Sequence, residues 1–204
     1  GLGAAGLMLV LAFLTPQAAV RAQDAGALYA KGATWQETML ASRAAYAQWV
    51  AQLPLVLEPW HAVGPLKASG FADALFPERG VDLEAKAEDG KPLWAKHREW
   101  EDGQVINLPG QDGASTYLYR VIEAKAPTKL PVGLGSDDGL EVWLNGAKIL
   151  SQDVARGVAP NQAQVEMDLA AGKNHVLLKI YNQTGGHGFY FSTRFDPVSP
   201  LWNR

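Results

Sequence analysis

The chain has no cysteine among its 204 residues, which excludes thiol catalysis, zinc–thiolate sites, iron–sulfur clusters and covalent haem attachment within it. It has no excess of positive charge either. Eighteen Lys and Arg stand against 21 Asp and Glu, for a net charge of −3, so the chain lacks the basic footprint that nucleic acid or an anionic membrane surface requires. Long hydrophobic runs are missing too. The uncharged stretch 1–14 is too short, at about 1.5 Å per residue, for the ~30 Å core of a bilayer. The four histidines, His61, His97, His175 and His187, show neither an i, i+4 pair nor an HExxH pattern, and there is no G-x-S-x-G elbow and no P-loop. What the chain does have is seven Trp, 21 Gly and 12 Pro, the composition of a turn-rich β-protein with aromatic surface to spare.

The apolar start fits a signal peptide. Val20-Arg21-Ala22 reads as a small-x-small cleavage site, so 1–22 is expected to be a truncated signal and the mature chain to begin near Gln23. Export of a cysteine-free chain is compatible with the periplasm, the cell surface or the medium, with no membrane span once the signal is removed. Thr34-Trp35-Gln36-Glu37 is a capping box. Trp35, Met39, Tyr46, Trp49, Val50 and Leu53 then follow on one stripe, which predicts an amphipathic helix over 35–52, stopped by Pro54. This places a helical extension at 23–53.

From Leu55 the pattern changes to short apolar alternations punctuated by Asp-Gly and Asn-Gly turns. Strands are expected at 60–63, 93–100, 104–107, 115–124, 130–134, 140–144, 148–150, 164–169, 175–182 and 188–195. No helical stretch alternates with them, so a parallel sheet is disfavoured. The fold class is therefore all-β, a mainly antiparallel two-sheet β-sandwich of jelly-roll type over 54–196, preceded by the N-terminal helix. Residues 197–204, with Pro197 and Pro200, read as the start of a linker to a further domain.

Asn145-Gly146 supplies the two positive φ values of a type I′ hairpin turn. Its register sends Leu140, Val142 and Leu144 to one face and Glu141 and Trp143 to the other. Val176, Leu178 and Ile180 likewise alternate with His175, Leu177, Lys179 and Tyr181, which puts Tyr181 and Lys179 on a polar face. An outward Trp143 either lies beneath another segment or offers a flat ring on which a sugar can stack.

The sharpest polar feature is Gly135-Ser136-Asp137-Asp138-Gly139 between two strands. Two adjacent carboxylates repel one another, so a hard cation with oxygen ligands, calcium above all, is one reading. An Asx turn with Gly139 at positive φ is the other. Further ligand oxygens could come from the loop that begins Asn182-Gln183-Thr184, and His187 lies in the Gly-rich part of that loop.

Three stretches carry a resemblance: Tyr117-Leu-Tyr-Arg120; Gly135-Ser-Asp-Asp-Gly139 running into Leu140-x-Val-Trp-Leu-Asn-Gly146; and Leu169-x-x-Gly172-x-Asn174 with Leu-Leu-Lys-Ile180. They resemble the protective-antigen-like β-sandwich and the galactose-binding-like jelly rolls attached to glycosidases. The first resemblance implies that Asp137 and Asp138 hold calcium, which in lectin-type members coordinates sugar hydroxyls. Trp60-His-Ala-Val-Gly-Pro65, Ala159-Pro-Asn-Gln162 and Gly186-His-Gly-Phe-Tyr-Phe191 resemble the N-terminal region of exported planctomycete-type cytochrome c proteins, where such a sandwich precedes other domains.

These readings lead to a non-catalytic, carbohydrate-binding accessory domain. Asp137 and Asp138 are its expected metal ligands, and Trp143, Tyr181, Asn182 and His187 its expected ligand contacts. A polysaccharide or glycan and the neighbouring domains of the same chain are its expected partners. The alternatives are a sandwich that only docks its neighbours and, with less support, a glycoside-active enzyme.

Overall fold

The described residues of this computed structural model are 55–193, all within one compact unit. The expected signal peptide, the helix over 35–52 and the linker at 197–204 lie outside them. Eleven strands run in the order β1 (Leu55–Leu57), β2 (Trp60–Lys67), β3 (Ala95–His97), β4 (Val105–Asn107), β5 (Ala114–Ala124), β6 (Thr128–Asp137), β7 (Gly139–Leu144), β8 (Ala147–Gln152), β9 (Ala163–Leu169), β10 (Gly172–Asn182) and β11 (Gly188–Ser192). No α-helix occurs among the described residues, only a 3-10 turn at Phe76–Arg79.

The strands form two antiparallel sheets. One has seven strands in the order β3-β2-β5-β10-β7-β8, with β1 beside the end of β5; the other has four, β4-β11-β6-β9. β10 sits at the centre of the larger sheet, aligned on β5 from Gly172↔Ala124 to Asn182↔Ala114 and on β7 from Val176↔Leu144 to Tyr181↔Gly139. This register puts Leu118, Ile122, Leu140, Val142, Val176, Leu178 and Ile180 on one face, each no more than 1% exposed. On the smaller sheet Leu130, Val132, Leu134, Met167 and Phe191 are buried as deeply. Burial of each such side chain contributes about 1.5–3 kcal/mol against exposure.

Trp60 meets Phe189 and Phe191 edge-on at centroid distances of 5.8 and 5.1 Å, joining strands of the two sheets. The buried Arg120 guanidinium lies 4.5 Å from the Trp60 ring centre and donates to both oxygens of Asp102 at 2.7 and 2.9 Å. The apolar layer therefore keeps one cation, paired and stacked.

The Asn145-Gly146 turn has φ values of 51° and 83°, as a type I′ turn requires. Asn145 Oδ1 accepts the His175 N–H and Asn145 Nδ2 donates to Asn174, so the turn is clipped to β10. Strand ends differ from expectation where side-chain alternation is weak. β3 is three residues rather than the longer run over 93–100, β6 continues through Gly133 and Gly135 to Asp137, and β1 had no alternating signal.

The outer face of the larger sheet is not the polar surface that the alternation implied. Val63, Tyr117, Tyr119, Val121, Trp143 and Leu177 form a second apolar cluster with Trp94, and Leu66, Leu75, Val81, Leu83 and Leu93 pack against it. The connection between β2 and β3 covers this face, and Lys179 pins it there. The Lys179 ammonium is fully buried, donates to the carbonyls of Phe71 and Asp73 at 2.7 Å each, and pairs with Glu78 at 3.1 Å and Glu141 at 3.2 Å. The Tyr117 hydroxyl also donates to Glu78, at 2.5 Å.

Candidate functional site

Asp137 ends β6 opposite Gly188 of β11, and Gly139 opens β7 opposite Tyr181 of β10. Asp138 is thus the single residue by which the chain steps from the smaller sheet to the larger. The peptide joining the two aspartates is cis. Instead of a five-residue loop, the structure has Gly135, Ser136 and Asp137 inside a strand and Gly139 inside the next. The Asx-turn alternative fails with it, because Gly139 does not have positive φ.

Asp138 is 7% exposed and fully engaged. Its Oδ1 accepts the Arg156 N–H and its Oδ2 the Gln183 N–H, each at 2.9 Å, while its own N–H donates to the Tyr181 carbonyl. The Ser136 hydroxyl donates to the Asp138 carbonyl at 2.6 Å. Arg156 spends its guanidinium on Ser136 Oγ, the Ser136 carbonyl and Gln152 Oε1, and not on a carboxylate. Asp138 therefore ties the loop after β8 and the loop after β10 to the strand crossover, with one lone pair on each oxygen taken up by an amide.

Asp137 is half-buried, and burial followed by the charge of Asp138 raises its carboxyl above the usual aspartate value. A Val158 backbone N–H is its opposing hydrogen bond. Among the described residues no cationic side chain pairs with either aspartate. Gly186 passes so close that a Cβ built there would lie 2.5 Å from Asp137 Oδ2. Gly135 is equally constrained, since a Cβ there would collide with the Ala159 carbonyl. Replacing Gly186 with Ala therefore pushes the Asp137 carboxylate out of place. Any cation affinity of the pair should fall at least about tenfold, or ~1.4 kcal/mol, with a smaller change in thermal stability; parallel calorimetric titration and melting measure the two.

The other expected residues divide. The loop from Asn182 to His187 does meet the aspartates, through the Gln183 amide and Gly186. Asn182 itself is fully buried and donates to the Gln111 carbonyl at 3.1 Å, with its Oδ1 lacking a partner. His187 is 5% exposed, its Nδ1 2.9 Å from the Pro109 carbonyl and its Nε2 3.4 Å from that of Ile180. Both hold loops together and face the interior. Tyr181 is half-buried and edge-on to Phe71 at 6.2 Å.

Trp143 points outward as its register predicts, yet it is only 8% exposed, because the β2–β3 connection lies over it. It is not an open platform. Its remaining accessible part lines a cavity of about 310 Å3 together with Tyr119, His175, Leu177 and residues of the 3-10 turn. The strand rise places it about 16 Å from Asp138, so the expected stacking ring and the acidic pair are separate features. Gln183, expected as a source of ligand oxygen, meets Asp138 through its backbone N–H; nothing in the residue types pointed to Arg156, whose backbone N–H does the same. The sequence reading also missed Arg79, Tyr119 and His175, which gather only when the connection folds over the sheet.

Asp137 and Asp138 are the two carboxylates of the crossover, and no group of three or more His, Asp or Glu arranged to hold a metal occurs among the described residues. A cation there would draw its remaining oxygens from carbonyls, amides or a ligand, which suits calcium better than zinc.

No protein-family model matches the chain, and no curated protein matches it. Among solved structures it is similar to the PA14 sugar-binding domain from an RTX adhesin, with 15% identity over 38% of this chain and 44% of that chain, at a TM-score of 0.28. The PA14 domain of the antifreeze protein MpAFP gives 19% identity over 41% and 47%, at 0.26. A β-glucosidase from Kluyveromyces marxianus in complex with glucose gives 13% over 65% of this chain and 15% of that chain, at 0.37. The chain thus spans less than half the length of each of these, and the geometry of the site is the ground for a functional reading.

Proposed function

We propose that the sandwich is a non-catalytic carbohydrate-binding module of jelly-roll type in an exported protein. Its ligand is recognised at the Asp137–Asp138 crossover, and calcium is held there by the two carboxylates. One observation carries the reading: a half-buried carboxylate lies beside a buried one, offset by backbone amides and the nearby His187 but by no Lys or Arg ion pair among the described residues. Such a pair is destabilising when empty, and a divalent cation relieves it. Each Asp138 oxygen keeps a second lone pair for the metal, and Asp137, which accepts the Val158 N–H, offers its remaining lone pairs.

When bound, the ion supplies open coordination positions that vicinal sugar hydroxyls can fill. The chain's own residues do the positioning. Asp138 fixes the loops of Arg156 and Gln183, and Gly186 leaves room for the Asp137 carboxylate. Export is supported by the apolar segment 1–14 and the small-x-small site at Val20–Ala22. No helix among the described residues is long and apolar enough to cross a membrane. The proposed role in the parent protein is to hold neighbouring domains of the same chain near polysaccharide, the arrangement that the planctomycete-type resemblance implies.

Thermal unfolding tests the metal. Calcium at 100-fold excess over its Kd stabilises by about 2.7 kcal/mol, which for a domain of this size raises Tm by roughly 8 °C relative to chelator. Equal melting temperatures in calcium and chelator would remove the metal from the account.

A further inference from the structure

The cavity over the outer face of the larger sheet belongs to no part of the site described above. At about 310 Å3 it is at the small end of the range for ligand pockets and has room for one sugar ring. Tyr119, Trp143 and Leu177 of the sheet form one side, and Pro77, Arg79 and Val81 of the covering connection form the other. The aromatic side chains supply flat apolar surface, and Lys148 Nζ, paired with Glu141, sits 4.8 Å from the Trp143 ring centre.

The polar groups that face this space are mostly spoken for. Glu78 lines it too, but its Oε1 accepts from Tyr117 and Lys179. The Tyr119 hydroxyl lies 2.5 Å from His175 Nδ1. Burial, then the charge of Glu58, holds the Tyr119 phenol above its ordinary value. With Nδ1 engaged by Tyr119, Nε2 is the His175 ring nitrogen left to meet a ligand. Arg79 is exposed at the rim and makes no hydrogen bond or ion pair with any described residue. The Glu78 carboxylate is balanced by its ion pair with Lys179, and the groups left to meet a ligand are the guanidinium fork of Arg79 and the His175 Nε2. A complementary ligand has an apolar ring face and an anionic, acceptor-rich substituent.

We propose that this cavity binds a carboxylated sugar ring, the uronic-acid unit of an acidic polysaccharide, with Arg79 and His175 on the carboxylate and Trp143 and Tyr119 against the ring. The site stands about 16 Å along β7 from Asp138 and needs no metal, so it is independent of the calcium reading.

Calorimetric titration with trigalacturonic acid, run in chelator, tests it. Saturable binding is expected. The fully methyl-esterified trimer, which keeps the rings and loses the charge, should bind at least about tenfold more weakly. Arg79→Gln should produce the same loss with unchanged thermal unfolding, because the side chain has no partner to lose, and His175→Gln a smaller one. Four results would overturn the proposal: no saturable binding of the acid, equal affinity for the ester, unchanged affinity in Arg79→Gln, or binding that appears only with calcium. The last assigns the sugar to the aspartate pair; the first three leave any calcium response at Asp137 and Asp138 standing.

Discussion

Replacing Lys179 with Met lowers unfolding stability by about 3–5 kcal/mol, the largest loss expected from a single substitution outside the inter-sheet core. Two carbonyls and two carboxylates converge on this one fully buried ammonium. Without it Glu141, 3% exposed, keeps only Lys148 and Ser151 as partners, and Glu78 keeps only Tyr117. The connection between β2 and β3 then loses its attachment, and Trp143 and Tyr119 become accessible. Urea denaturation measures the loss, and quenching of Trp143 fluorescence reports the uncovering. Adding Glu78→Gln and Glu141→Gln to Lys179→Met should restore part of the stability, because an uncompensated buried charge costs more than a neutral amide.

The same network gives a pH dependence. Burial alone would raise the Glu141 carboxyl, but Lys148, Lys179 and Ser151 together bring it below its ordinary value of 4.5. A carboxylate depressed in the folded state contributes stability that is complete above the unfolded value and is lost as pH falls through the folded one. The wild type should therefore lose stability below about pH 4.5, and the Glu141→Gln variant should lose less over the same range.

Replacing Asp138 with Ala is expected to cost about 3 kcal/mol and to abolish any cation response. The stability loss comes from two hydrogen bonds to a charged acceptor, each worth about 1.5–3 kcal/mol, whose donors, the Arg156 and Gln183 amides, lie on separate loops. Asp138→Asn retains one acceptor oxygen and should lose about half as much. Asp137→Asn should behave differently. Burial and the neighbouring charge work against the ionised Asp137, so removing that charge should leave stability unchanged or slightly higher while the cation response disappears. The two aspartates are thus separable by experiment, one as a structural clip and one as an open ligand.

These assignments differ in how far the sequence disclosed them. The alternation along β10 and the Asn145-Gly146 turn are local signals, and each residue there falls on the face that its register requires. The adjacent Asp137 and Asp138 are also visible directly. The covering of Trp143 is not, because the segment that does it lacks strand or helix periodicity. Its anchor, Lys179, reaches residues about a hundred positions earlier in the chain. Lys179 reads as a solvated residue on a polar face until Phe71, Asp73 and Glu78 are brought over it. For His187 and Asn182 the sequence shows only polar residues of a loop; their approach to the carbonyls of Pro109, Ile180 and Gln111 is set by tertiary contacts.

The central claim is that the Asp137–Asp138 crossover binds glycan through calcium. A glycan-array and calorimetry comparison of the wild type and Asp137→Asn, each in calcium and in chelator, tests it most directly. For neutral glycans the expected result is saturable binding by the wild type in calcium, none in chelator, and none by Asp137→Asn in either, with both proteins folded by melting temperature. Neutral-glycan binding that survives in both chelator and the variant, no binding to any neutral glycan, or release of reducing sugar during the titration would contradict it.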